Sequence, residues 1–269
     1  MAEDVTEAQA APEPAPVQAP RRSAVVGVLV GRFRFVYAAL AIVLGAAIGG
    51  FLVLSGDNET SGPAWSAWEP DGDAGERASQ IAQFVSRQYR LESHRQLVAV
   101  AVTKPPTVGQ QPVRYVALSA GTSREDISVL SAEGTMAYQL CGIPPGANCS
   151  IREGEPTAER GLLLRREALE LALYTFKYVD GVDSVVVFLP PRQKQQTRYA
   201  LFFQRDDLDT ALDRPLSATL SPTRELTPST LAPTEGFLIG RYVDSHVFQA
   251  SYGQAGDGSI YLALVPLPL

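Results

Sequence analysis

The sequence predicts a single transmembrane helix followed by a small mixed α+β domain. Three observations predict it. Residues 35–55 contain no charged side chain. Two helix-period segments are set among strand-like runs without regular βαβ alternation. The last 23 residues read as two strands around a glycine-rich turn.

Residues 1–20 are nearly all Ala, Pro, Glu and Gln, a composition that cannot bury a core. With the arginine-bearing stretch up to position 34 they read as a flexible tail. Phe35 to Ser55, FVYAALAIVLGAAIGGFLVLS, is 21 residues long. At helical rise that spans roughly 31 Å, about the thickness of a hydrocarbon core. Arg21, Arg22, Arg32 and Arg34 precede it, so the positive-inside bias puts the N-terminus in the cytoplasm and residues 56–269 outside. Phe33, Phe35 and Tyr37 stand where an interfacial aromatic anchor belongs. A cleavable signal peptide is the rival reading, but the apolar run is too long for one and Ala64-Trp65-Ser66 only loosely resembles a cleavage site. Ala41, Gly45 and Gly49 fall on one helix face, a small-residue seam on which a second copy can pack. Small residues are also common in membrane helices that pack on nothing.

Residues 56–72 read as a juxtamembrane linker. Its Trp65 and Trp68 can rest on the membrane surface or plug into the domain, and the sequence leaves both open. The domain is expected over 73–269. Asp73-Ala74-Gly75-Glu76 is a capping box that opens an amphipathic helix over about 74–91. Gln96–Thr103, Val113–Ser119, Ile127–Leu130 and Thr135–Cys141 read as strands, the first stopped by Pro105-Pro106. Pro156 to about Val179 is the longest helix outside the apolar run, apolar over more than half its circumference, so it packs on a sheet. Arg166 and Glu170 are expected to pair across one turn on its wet face. Ser184–Leu189 is an apolar run suited to a central strand. Arg198–Gln204 follows as a strand and Asp206–Asp213 as a short helix. Residues 215–236, rich in Pro, Ser and Thr, read as an extended arm. Val247–Tyr252 and Ser259–Val265 form the terminal hairpin.

The net charge is −6, and there is no basic stripe interleaved with aromatics, so nucleic-acid binding is disfavoured. Of the 23 basic residues only Lys104, Lys177 and Lys194 are lysine, which suggests a GC-rich bacterial genome. Cys141 and Cys149 bracket a Pro/Gly-rich turn, and an exported domain is oxidising territory; a structural disulfide is expected. Free thiols or a metal site are the alternatives, and for metal only His94 and His246 could add imidazole. Both histidines read as surface residues.

No cofactor fingerprint, nucleophile elbow, zinc helix or phosphate loop is present. Gly253, Gly256 and Gly258 lie in a hairpin turn and make no dinucleotide fingerprint. Glu167 and Glu170, one turn apart, could form an acid–base pair; beside Arg165 and Arg166 they read instead as a solvated charged face. Asp206, Asp207, Asp209 and Asp213 read as acids at a helix start in preference to a cation site.

The expectation is a membrane-anchored extracytoplasmic binding or scaffold protein of the bacterial envelope, with lipid and other envelope proteins as partners and no cofactor. A carboxylate-dependent envelope hydrolase and a secreted soluble protein are the alternatives. An acid-lined cleft with displaced carboxyl pKa values would favour the hydrolase.

Overall fold

The computed structural model describes residues 64–120, 126–143, 149–193, 197–222 and 225–267. The expected span at 35–55 lies outside them, as do the tail, the arginines at 21, 22, 32 and 34, and the seam of Ala41, Gly45 and Gly49. Among the described residues no helix is long and apolar enough to cross a membrane.

Helix α1 (Ala74–Ser86) begins on the expected capping box. Asp73 accepts from the amides of Gly75 and Glu76, and the Glu76 carboxylate accepts from the Asp73 amide. It ends earlier than its apolar pattern suggested, because the chain turns at Arg87–Arg90 to pair Tyr89 with Leu226 and Arg90 with Gln96. Tyr89, read as the last rung of the helix, is buried beyond its end.

The strands are β1 (Ala99–Thr103), β2 (Thr107–Val108), β3 (Gln111–Ser119), β4 (Ile127–Ser131), β5 (Thr135–Cys141), β6 (Ser184–Phe188), β7 (Arg198–Gln204), β8 (Val247–Gln254) and β9 (Ile260–Pro266). They form one mixed sheet in the order β1-β5-β6-β7-β8-β9-β3-β2, with β4 also on β3. The β5–β6 and β3–β9 pairs are parallel. Strand β6 is central and buried on both faces, as its unbroken apolar run required.

The alternation of the strands feeds two cores. One face, with Met136, Tyr138, Leu140, Val185, Val187, Leu201 and Phe203, packs under the helices. The other, with Val186, Phe188, Ala200 and Phe202, meets Val113, Val116, Leu262 and Leu264 from the far end of the sheet. The sheet therefore curls until it nearly closes.

Helix α2 (Ala158–Tyr178) lies across the sheet, capped by the Thr157 hydroxyl, which accepts from the Arg160 amide. The short helix α3 (Asp209–Leu212) follows a 3-10 turn at Arg205–Leu208. The arm at 215–236 is only partly extended. Leu216–Ala218 is a 3-10 turn, and Pro233–Val243 is a helix, α4, opened by Pro at its first position. Proline there marks a helix start, and the Pro/Ser/Thr composition hid it. Cys141 and Cys149 are joined by the expected disulfide.

Candidate functional site

The polar face expected on α2 is absent. Leu163, Glu167, Glu170 and Tyr174 recur at helical spacing and are all buried, as is Arg166. The expected wet-face pair Arg166–Glu170 is thus an interior ion pair, and Glu167 with Glu170 is not a solvated face. The cause is the arm: residues 215–222 and α4 fold over α2 and cover the side that its charges had marked as exposed.

Arg166 is 2 % exposed, and every nitrogen of its guanidinium is bonded. Nε donates to Glu235 Oε1 at 2.7 Å, and Nη2 to the Ser221 carbonyl at 2.7 Å. Nη1 donates to Glu170 Oε2 at 3.0 Å and to the Tyr89 hydroxyl at 2.5 Å. Tyr89 in turn donates to Glu170 Oε2 at 2.5 Å, and Gln88 donates weakly to Oε1 at 3.4 Å. Glu235 Oε1 also accepts from the Ser221 amide at 3.0 Å. Four segments distant in sequence meet at one cation.

Burial raises the Glu170 carboxyl above its ordinary value, opposed by Arg166 and by its hydrogen bonds from Tyr89, Arg166 and Gln88. Burial pushes the Tyr89 hydroxyl well up, with Arg166 pulling the other way. Burial alone would lower Arg166, but Tyr89, Glu170 and Glu235 outweigh it and hold the guanidinium charged. Glu167 has no hydrogen-bond partner on either oxygen among the described residues. Burial, and then the neighbouring Glu170, push its carboxyl well above the ordinary value, favouring the protonated form.

Arg166 and Glu170 form the floor of a cleft of about 930 Å³. One wall is residues 64–68, held against α1 and α2 by aromatic packing. Trp68 stacks on Phe84 with centroids 4.0 Å apart, and Trp65 meets Tyr174 edge-on at 5.4 Å. The Trp65 carbonyl accepts from the Leu216 amide at 2.7 Å. Trp65 and Trp68 therefore plug into the domain, the second of the two roles left open for them. Burial raises the Tyr174 hydroxyl to about 12. The rim carries Arg87 and Arg90 from the turn after α1, and Ser217, Ser221 and Glu225 from the arm.

Asp207 caps its own turn by accepting from the Gln204 amide, and it pairs with His246 at 3.3 Å. His94 is exposed. Among the described residues no three His, Cys, Asp or Glu side chains gather as metal ligands.

Sequence reasoning missed Tyr89, Arg87, Arg90, Phe84 and Glu235 as neighbours in one site. A signal for the buried charges was present. Glu167 and Glu170 lie on the same helical row as Leu163 and Tyr174, where a surface row would hold polar residues. Comparison with protein-family descriptions, curated proteins and solved structures returned no match.

Proposed function

We propose that this chain is a single-pass membrane protein of the bacterial envelope whose domain binds an envelope component in the cleft above Arg166. The observation that carries the binding reading is the cleft itself, concave, walled by aromatics and floored by a fully bonded ion cluster. Such a cluster fixes the floor, and fixed polar groups in an apolar concavity suit ligand recognition. The uncharged run at 35–55 and its four preceding arginines support anchoring with the domain outside. The Cys141–Cys149 disulfide is in keeping with an oxidising compartment. Ala41, Gly45 and Gly49 give the anchor a face on which a second copy can pack.

A hydrolase is the second reading, favoured by one observation: Glu170 faces the cleft with its carboxyl raised. Against it, both Glu170 oxygens already accept hydrogen bonds, and Glu167 is sealed in the interior.

One experiment separates these. Protein, lipid and polysaccharide fractions of the envelope are added to the detergent-solubilised full chain, and thermal unfolding is followed. Under the binding reading one fraction raises the Tm by linkage, and Ser217→Trp, which fills the cleft from an exposed position, abolishes the rise. Under the hydrolase reading the rise decays with incubation, and Glu170→Gln makes it persist. If no fraction raises the Tm, the cleft is not the working site.

A further inference from the structure

The mouth of the cleft carries cations that the fold does not use. Arg166 on the floor is saturated by Glu170, Glu235, Tyr89 and Ser221, so it has nothing left to offer a ligand. Arg87 and Arg90 are different. Neither side chain has an ion-pair or hydrogen-bond partner among the described residues, and both line the cleft. Arg87 alone could be explained as a cation complementing the C-terminus of α1. Arg90 could not, because the helix has already ended at Ser86. Its backbone is fixed there, its amide donating to the Leu226 carbonyl at 2.7 Å. Two free guanidiniums thus stand at one cleft in a chain whose net charge is −6.

The rest of the lining narrows the ligand. Trp68 and Phe84 are only half-buried, stacked on one another, and both line the cleft. Ser217 and Ser221 are exposed hydroxyls, and the exposed Glu225 carboxylate is an acceptor at the same mouth. An acid group alone answers the arginines but gives Glu225 no proton and the rings no apolar face. A sugar ring lays a C–H face on an aromatic side chain and gives its hydroxyl protons to a carboxylate. If it also carries an acid group, that group answers the two arginines.

We infer that the cleft takes an acidic carbohydrate, its acid group on Arg87 and Arg90 and its ring against the Trp68–Phe84 wall. This rests on the cleft being a binding site and goes further by naming the ligand class.

Trp65 and Trp68 are the chain's only tryptophans and both line the cleft, so intrinsic tryptophan emission reports on it directly. The full chain in detergent is titrated with a uronic-acid tetrasaccharide, a neutral tetrasaccharide of the same length, and poly-glutamate. The expected result is a saturable emission change with the uronate. Affinity falls as salt rises, and falls about tenfold or more in Arg87→Ala/Arg90→Ala. Neither side chain has a partner among the described residues, and a Tm close to that of wild type checks the variant's fold. Equal response to neutral and acidic sugars would overturn the charge assignment and leave the cleft as a binding site. A response to poly-glutamate alone would overturn the carbohydrate assignment. If these probes leave the emission unchanged while an envelope fraction raises the Tm, the ligand class is wrong and the cleft stands. If no envelope fraction raises it either, both readings fall together.

Discussion

Replacing Arg166 with methionine should be among the most damaging single changes available in this domain. The side chain is 2 % exposed and donates to two carboxylates, a phenol and a carbonyl. Methionine fills much of the volume but returns none of these bonds. It leaves Glu170 and Glu235 buried without their counter-charge, and breaking a buried pair in this way costs about 3–5 kcal/mol. For a domain of this size that corresponds to a fall in Tm of roughly 6–20 °C. The loss also depends on pH. Glu170 is already held above its ordinary value of 4.5 by burial, and removing Arg166 lifts it further. A carboxyl whose folded pKa is raised binds more protons folded than unfolded, so stability falls as pH rises between the two values. The gap between wild type and Arg166→Met should therefore widen from about pH 5 to about pH 8. Calorimetry on the full chain measures both effects. The triple variant Arg166→Met/Glu170→Gln/Glu235→Gln removes the stranded charges and should recover at least half of the loss. If Arg166→Met alone lies within about 1 kcal/mol of wild type, the cluster is not what holds the arm to α2.

The remaining predictions concern single features. Glu167 is raised by burial and then by Glu170, so its contribution to stability is greatest below its ordinary value of 4.5 and declines as pH rises above it. Glu167→Leu should flatten that decline, read as a smaller difference in Tm between about pH 5 and about pH 8 than wild type shows. The disulfide closes a loop of sequence separation 8, for which chain entropy gives about 2.5 kcal/mol. Cys141→Ser/Cys149→Ser should lower stability by about that amount in denaturant titration. The wild-type chain should show no thiol labelling when denatured without reductant.

The sheet was readable where periodicity is strong. The apolar run Ser184–Leu189 announced a central strand, observed over Ser184–Phe188, and the capping box at Asp73 marked the start of α1 to the residue. The terminal hairpin and the cysteine pair were equally plain, because each is a local signal. The candidate site was not, because it is made by contacts between segments far apart in sequence. Arg166 and Glu170 at helical spacing look alike on a wet face and in an interior; what decides is whether another segment covers them. The cover is the arm, whose composition signals irregular chain and says nothing of where it lies. Trp65 and Trp68 show the same limit. Their aromatic character demanded burial somewhere, but Phe84 and Tyr174, which receive them, stand on two different helices.

The claim that the domain works outside the cell, tethered by residues 35–55, is tested most directly by protease added to intact spheroplasts. The domain should be cut from the membrane pellet while a cytoplasmic marker protein survives. A domain that remains intact until the cells are lysed, and is then digested, would contradict it.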